Sequence, residues 1–236
     1  MPEHSYRDRH VVVTGGTGAL GIAVVGALLE AGAICHVPYI EEVEAVRFPY
    51  RGRPGVTLIA GSSLADEAAV GRLYASVPKL WASIHLAGGF AFAAIGDTAA
   101  ADHARQIEMN LVTCYLCCRA AVQAMAQSPD GGRIVNVTAR PALEGRLGAN
   151  MTAYAASKAA VAALTVALGE EVVKSGILVN AVAPSILDTP KNRADMPKAD
   201  HAAWPKVEEV ARTILFLASP ENAVTRGAIV PVYGKV

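Results

Sequence analysis

Short runs of β-branched and apolar residues alternate with longer alanine-rich stretches along the chain. The short runs are bounded by glycine, proline and polar residues, which is the pattern of strands. The pattern predicts strands at residues 10–14, 33–37, 56–60, 83–87, 133–137, 178–182 and 229–232. The longer stretches predict helices at residues 18–31, 66–76, 99–126, 152–175 and 207–218.

Several predicted strands are continuously apolar, such as VVV at 11–13 and ILVNAVA at 177–183. Strands of this kind are buried on both faces, as in parallel sheets covered by helices. The alternation of strands and helices is typical of βαβ units. We therefore expect an α/β protein with one doubly wound, mostly parallel sheet of about seven strands flanked by helices. Because the sequence shows neither an internal repeat nor a linker, residues 1–236 are expected to form a single domain.

Residues 185–205 depart from this regular pattern. The segment follows a predicted strand and contains Pro190, Pro197 and Pro205, with aspartate, asparagine and lysine residues between them. Long irregular loops in compact domains often cover a binding site. We expect a substrate loop here, with an ordinary surface loop as the alternative.

Charge and composition exclude some classes of function. Among the 236 residues, 21 are basic and 21 are acidic, so nucleic acid is not an expected partner. The longest apolar stretch, 159–169, is shorter than the roughly 20 residues of a membrane span. The first ten residues are polar, without the apolar core of a signal peptide. We expect a small-molecule substrate, no membrane partner and a cytoplasmic location.

Three of the four cysteines lie close together in the sequence. Cys114 and Cys117 have the spacing of a redox or zinc pair, but Cys118 follows directly and the surrounding residues predict one mainly apolar helix. We therefore expect the cysteines to be free and to serve packing. The histidines show no spacing typical of metal ligands, and no metal site is expected.

A glycine-rich segment, TGGTGALG at 14–21, lies between the first predicted strand and the first predicted helix. Glycine permits a tight turn and a close approach of the backbone to a ligand, and the free amides and positive end of the helix dipole attract a pyrophosphate. In this context the segment predicts a dinucleotide site. The expected coenzyme contacts are Gly15, Thr17, Gly18, Ala19, Leu20 and Gly21.

Tyr154 and Lys158 lie four residues apart at the start of a long predicted helix. Residues at this spacing share one face of a helix, so both side chains can enter one site. A neighbouring cation favours the phenolate form of a tyrosine and lowers its pKa. The pair is therefore interpreted as an acid/base unit.

The order of these motifs resembles that of the short-chain dehydrogenase/reductase family over nearly the whole chain. The segment HLAG at 85–88 stands where the family has N-N-A-G, Asn110 matches an asparagine that supports a proton-relay water, and PSILDT at 184–189 resembles the segment that holds the nicotinamide carboxamide. The resemblance implies a Rossmann-type fold that binds NAD(P), with Lys158 on the nicotinamide ribose. It implies catalysis by Tyr154, Lys158 and Asn110, and further coenzyme contacts from Ala87, Gly88, Lys158, Pro184, Leu187 and Thr189.

The chain departs from the family pattern at Ala139, where the family has a catalytic serine. A serine would donate a hydrogen bond to a developing alkoxide, and such a bond contributes about 2–4 kcal/mol in other enzymes. Thr138 is adjacent, but successive strand residues point to opposite faces of a sheet. Its hydroxyl is therefore expected to point away from the active site.

A narrower resemblance accounts for this departure. The turn at 18–21, the corner at 87–90, the segment at 139–148 and above all LDTPKNRADMPKADHAAW at 187–204 resemble dihydropteridine reductases. That branch works without the serine and reduces a quinonoid dihydropterin, a conjugated ring that localises less charge on one oxygen. Phe90 and Trp204 are candidates for stacking on a flat substrate, with plain packing as the alternative, and Ala139 is a third candidate substrate contact.

The residues after the second predicted strand bear on the choice between NAD and NADP. Tyr39 is expected at the end of the second strand, where an acidic residue would bind the ribose of NAD and a basic residue the phosphate of NADP. Glu41 and Glu42 follow and would repel a phosphate, so the sequence favours NADH slightly.

Two alternatives remain open at this point. One is a carbonyl reductase or alcohol dehydrogenase in which another donor, such as Thr152, replaces the serine. The other is a non-catalytic regulator that binds NAD(P).

The helix predicted at 152–175 is rich in alanine and valine on more than one face, which favours a homodimer or homotetramer.

Overall fold

The computed structural model describes residues 5–126 and 128–236, so the predicted domain limit at residues 1–4 lies outside the described residues. It contains one seven-stranded sheet in the order β3-β2-β1-β4-β5-β6-β7, with every neighbouring pair parallel. The strands are β1 His10–Thr14, β2 Ile34–Pro38, β3 Val56–Ile59, β4 Leu80–His85, β5 Gly132–Val137, β6 Ile177–Pro184 and β7 Ile229–Val232.

The helices connect these strands and cover both faces of the sheet. They are α1 Ala19–Glu30, α2 Glu42–Arg47, α3 Glu67–Ala75, α4 Ala100–Ile107, α5 Thr113–Met125, α6 Arg140–Leu143, α7 Thr152–Glu171, α8 Pro190–Asp195 and α9 Val207–Ala218. The predicted single Rossmann-type domain with a seven-stranded sheet is confirmed. The sheet is wholly parallel within the described residues.

Two apolar clusters hold the helices on the sheet. Val11 and Val13 of β1 point to the face covered by α1 and α9, whereas Val12 points to the face covered by α3, α5 and α7. The opposite directions follow from the two-residue repeat of a strand. Because these valines are fully buried, the continuous apolar run at 11–13 is explained by burial on both faces.

Element boundaries differ from the predictions mainly where the pattern of apolar residues carries little information. Strand β4 begins at Leu80 rather than residue 83, and β6 runs from Ile177 to Pro184. The predicted helix 99–126 is divided into α4 and α5 by a π-helical turn at Glu108–Val112. The short helices α2, α6 and α8 were not predicted, because four to six residues are too few to show a helical repeat.

Helix α7 is long and apolar enough to cross a membrane by length and composition alone, although the stretch at 159–169 predicted no such helix. Core helices pass the same test. Here α7 packs against the sheet through Val161 and Thr165, and it carries the buried charge of Lys158. These contacts describe a core helix of an α/β domain.

Candidate active site

The site lies where the order of the strands reverses. From β1 the chain runs outward through β2 to β3 on one side of the sheet. It then returns to β4, next to β1, and runs outward through β5, β6 and β7 on the other side. At such a switch point the carboxyl ends of parallel strands leave a crevice that binds ligands. The glycine segment after β1 and the corner after β4 border this crevice.

The glycine segment is packed too closely for larger residues at its base. Gly15 has a φ of +65°, and a Cβ atom there would meet the backbone nitrogen of Ala87 at 2.7 Å. A Cβ atom on Gly21 would collide with the carbonyl oxygen of Gly15. The glycines therefore allow β1, α1 and the corner after β4 to approach one another.

The N-terminus of α1 has the features of an anion site. Gly18 is the N-cap residue, is exposed, and provides no side chain to bond the first amides of α1, and the first turn contains no acidic residue. The free amides of a helix N-terminus attract phosphate groups. The arrangement at Gly18, Ala19 and Leu20 has free amides of the kind that a pyrophosphate needs.

Helix α7 brings the Tyr154–Lys158 pair to the end of β5. Lys158 is buried, and its Nζ atom donates a hydrogen bond to the carbonyl oxygen of Val137, the last residue of β5, at 2.9 Å. A Cβ atom on Gly88 would lie 3.4 Å from that Nζ atom. The lysine therefore lies beside the corner after β4, with two N–H groups left for a ligand.

Burial shifts the pKa values of both members of the pair. It raises the pKa of Tyr154 to about 12 and lowers that of Lys158 to about 8. In both cases the charged form is disfavoured away from water. The expectation that Lys158 lowers the pKa of Tyr154 is therefore wrong for this structure: burial raises that pKa, and at neutral pH the phenol holds its proton.

Asn110 lies within the π-helical turn and holds the corner after β4. Its Oδ1 atom accepts a hydrogen bond from the Gly89 amide and its Nδ2 atom donates one to the Gly89 carbonyl, both at 3.0 Å. Its Nδ2 atom also lies 3.1 Å from Ser157 Oγ on α7. The side chain thus joins the corner after β4 to the helix that carries Tyr154.

Ala139, at the position of the missing serine, is 4% exposed. The hydroxyl of the adjacent Thr138 donates to the carbonyl oxygen of Lys158 at 2.6 Å. Thr138 is therefore occupied in holding α7, as its position on the opposite face of the strand predicts.

A cavity of about 280 Å³ lies next to Tyr154. The ring of Phe90 lines it and contacts the Tyr154 ring edge to face, with the ring centroids 5.0 Å apart. Polar and apolar side chains in nearly equal number complete the wall: Ala91, Ala93, Asp97, Thr98, Asp102, Arg105, Gln106, Met109, Met151, Thr152 and Ala153. The sequence analysis identified Phe90 and Thr152 but missed Met109, Met151 and Arg105, whose residue types carry no distinctive signal.

The segment 185–205 is more ordered than its sequence predicts. It contains α8 and a 3₁₀ turn at His201–Ala203. Thr189 caps α8, since its Oγ1 atom accepts a hydrogen bond from the Asn192 amide at 3.2 Å. Asp188 forms an ion pair with Arg193. Pro184 ends β6, and Leu187 packs against the core.

Two further candidates lie away from the Phe90 cavity. Trp204 is 5% exposed and lines a separate pocket with residues of α9 and β7. The Trp204 ring packs against the His201 ring. Trp204 is not among the residues that line the Phe90 cavity, so the structure does not place it beside Phe90. Tyr39 lies just after β2, as expected, and its hydroxyl donates to Glu42 at 3.0 Å.

Comparison with known proteins identifies the family. Residues 9–200 match the model for short chain dehydrogenases. A cis-4-hydroxycyclohexanecarboxylate dehydrogenase of Sinomonas cyclohexanicum is 32% identical over 98% of this chain and 97% of its own length. A galactitol 2-dehydrogenase of Rhizobium johnstonii is 34% identical, covering 94% and 92%. A solved short chain dehydrogenase/reductase family protein is 26% identical with a TM-score of 0.89, covering 98% and 97%.

The chain therefore belongs to the short-chain dehydrogenase family, and it is an NAD(P)-dependent oxidoreductase. This conclusion favours an enzyme over the non-catalytic regulator considered above. The two curated relatives are named for alcohol substrates. They give no support to the narrower resemblance to dihydropteridine reductases.

Proposed function

We propose that the protein is an NAD(P)H-dependent reductase in which Tyr154 is the proton donor, acting on a small conjugated ring such as a quinonoid dihydropterin. The observation that carries this proposal is the site around Ala139. Alanine stands at the position of the serine, and the neighbouring Thr138 hydroxyl is bonded to the Lys158 carbonyl. A substrate that spreads its developing charge over a conjugated system tolerates the loss of that donor.

The proposed coenzyme site runs from the N-terminus of α1 to the segment after β6. Gly18 and the free amides of α1 would hold the pyrophosphate. Lys158 would bond the nicotinamide ribose with the N–H groups that Val137 leaves free. Leu187 and Thr189 would border the nicotinamide, and the Thr189 hydroxyl retains a proton to donate because it accepts from Asn192.

When bound, the reduced coenzyme supplies a hydride to the substrate. The phenol of Tyr154 gives its proton to the reduced substrate, and solvent restores that proton. A pKa of about 12 keeps the phenol protonated before reaction at neutral pH, so the free enzyme holds the acid that the proposed reduction uses. Lys158 is charged below its pKa of about 8 and stabilises the phenolate left after transfer.

The cavity suits a small, partly apolar substrate. At about 280 Å³ it is near the lower end of ligand pockets, which span roughly 300–1,000 Å³. Phe90 is 61% exposed, so its ring can move onto a flat substrate between it and Tyr154. We propose segment 185–205 as the neighbouring substrate loop.

A second candidate is an alcohol dehydrogenase or ketone reductase in which Thr152 replaces the serine. Thr152 lines the cavity, and the two curated relatives are named for alcohols. A hydroxyl donor would matter more for an isolated carbonyl, where charge gathers on one oxygen.

The experiment that separates the candidates compares substrates and a Thr152→Val variant. NADH and NADPH oxidation are followed with freshly generated quinonoid dihydropterin and with cyclic ketones, after subtraction of the nonenzymatic rate. The first proposal expects turnover of the dihydropterin that Thr152→Val leaves within about twofold. Ketone reduction alone, lost in Thr152→Val, would contradict it and support the second candidate.

For the coenzyme we propose a slight preference for NADH. Tyr39 is bonded to the Glu42 carboxylate, which also pairs with Arg51 at 3.3 Å. Because Arg51 is paired with Glu42, its guanidinium is not free to bind a 2′-phosphate. Equal or tighter binding of NADPH, measured by fluorescence titration, would contradict this preference.

A further inference from the structure

A buried group of polar side chains lies behind the proposed active site and has no part in the proposed reaction. His85 ends β4, Asn136 lies in β5, and Cys114 and Cys118 lie one turn apart on α5. All four residues are at most 5% exposed. One ligand atom from each of His85, Cys114 and Cys118 lies within 4.8 Å of the others.

The orientation of the Asn136 amide follows from its neighbours. Thr165 donates its hydroxyl proton to the Val161 carbonyl at 2.8 Å, so its oxygen can only accept a further bond. The Asn136 Nδ2 atom donates this second hydrogen bond to Thr165 Oγ1 at 2.9 Å. The Oδ1 atom of Asn136 therefore faces His85 and the two thiols.

This single oxygen is approached by three donors. It lies 2.8 Å from His85 Nδ1, 3.3 Å from Cys114 Sγ and 3.5 Å from Cys118 Sγ. An amide oxygen has two lone pairs, so it cannot accept hydrogen bonds from all three groups at once. One cation among the four atoms would remove the conflict, because the thiols lose their protons and all four atoms become ligands.

Four of the distances among these atoms are close to those between the ligands of a tetrahedral zinc ion. Cys118 Sγ lies 3.6 Å from His85 Nδ1, in addition to the three distances to Asn136. Zinc bonded to nitrogen and oxygen at about 2.0–2.2 Å and to sulfur at about 2.3 Å separates its ligands by about 3.3–3.8 Å. Of these four distances, only the one between Asn136 and His85 must lengthen, by about half an ångström.

The surroundings of His85 also suit a metal ligand. Its Nε2 atom, which faces away from the thiols, lies 2.8 Å from Ser83 Oγ and 3.2 Å from Tyr74 Oη. A ligating histidine donates its other N–H to an oxygen of this kind, which fixes the ring. A divalent cation with two thiolates is neutral, so the buried site would carry no net charge.

We propose that His85, Cys114, Cys118 and Asn136 form a structural site for Zn²⁺. The sequence analysis predicts no metal site, because His85 is separated from the cysteines by about thirty residues. The fold brings β4, β5 and α5 together and thereby assembles the ligands. The C-x-x-C pair does not define the site: Cys114 and Cys118 belong to it, and Cys117 does not.

The test measures metal in the purified full-length protein from zinc-supplemented medium, and in the cobalt-substituted protein. Near-equimolar zinc is expected, together with thiolate-to-cobalt charge-transfer bands and visible bands of tetrahedral cobalt. His85→Asn, which introduces the residue typical of the family, and Cys118→Ser should both lose the metal. Cys117→Ser is the matched control, and Cys35→Ser, at another buried cysteine, is a second.

Wild-type protein without zinc and without cobalt bands would overturn the proposal. So would equal metal content in the folded His85→Asn variant and the wild type. Loss of metal in Cys35→Ser to the same extent as in Cys118→Ser would also overturn the proposal. The effect would then not be specific to the thiol that is proposed as a zinc ligand. These measurements are independent of turnover, so they do not depend on the proposed reaction.

Discussion

At the scale of single residues, burial decides the protonation of the Tyr154–Lys158 pair. Removing the two groups from water disfavours the phenolate and the ammonium ion alike. The result is a phenol with a pKa of about 12 next to an amine with a pKa of about 8. At neutral pH the phenol of the free enzyme is therefore protonated, as the proposed reduction requires.

This pair predicts the pH dependence of reduction. Lysine is charged below its pKa, and burial places that pKa near 8 instead of the usual value of about 10.4. We expect kcat/KM for reduction to be constant below about pH 8 and to fall above it as Lys158 loses its charge. A stopped-flow or steady-state pH profile checks this, and a constant kcat/KM up to about pH 10 would contradict it.

Some candidate site residues could be identified from the sequence and others could not, for a physical reason. Tyr154 and Lys158 could be found because their spacing on one helix fixes a common face. Trp204 could not be placed, since whether an aromatic ring packs in the core or faces a cavity depends on elements far away in sequence. The same holds for His85, whose partners lie on α5 and β5.

At the scale of elements, the π-helical turn between α4 and α5 shapes the site. It places Asn110 against the Gly89 backbone, and the Thr113 hydroxyl donates to the Met109 carbonyl within it at 2.7 Å. π-Helical turns occur often at functional sites. Patterns of apolar residues do not show a single widened turn, so the sequence predicted one continuous helix over 99–126.

The start of α1 allows a test of the coenzyme site. A Cβ atom on Gly18 would lie 3.4 Å from the Gly15 carbonyl oxygen, an ordinary contact, so Gly18→Ala should fold normally. It would crowd a pyrophosphate at the helix N-terminus, and we expect coenzyme Kd to rise about tenfold or more, which is about 1.4 kcal/mol. Fluorescence titration and thermal unfolding measure the two effects.

The matched control is Gly71→Ala. Gly71 lies in α3, and a Cβ atom there meets nothing within 4 Å. This control should change neither coenzyme Kd nor turnover. Unaltered coenzyme binding in Gly18→Ala would show that the pyrophosphate lies elsewhere.

At the scale of the whole molecule, the sequence predicted the parallel sheet and its covering helices because both faces of the central strands are buried. The order of the strands follows from how βαβ units connect, and it creates the crevice between β1 and β4. The extent of the cavity could not be predicted, because its walls come from α4, α7 and the segment after β4.

We propose that the chain forms a homodimer or homotetramer through α7. This helix is apolar, yet only a third of its most apolar stretch is buried, and Val166 is 45% exposed. Light scattering should give at least twice the mass of one chain, and Val166→Glu should reduce it. Val46→Glu, at an exposed position of α2, is the control. A monomeric wild type at micromolar concentration would contradict the proposal.

The most direct test of the account is the rate of NAD(P)H oxidation by Tyr154→Phe, measured with the best substrate from the dihydropterin and cyclic-ketone panel. The variant lacks the donated proton but keeps the ring packed against Phe90. The account predicts a fall in turnover of about 10²–10⁴-fold, the range for loss of a general acid, with coenzyme Kd nearly unchanged. Turnover close to that of the wild type would contradict the assignment of Tyr154 as the proton donor.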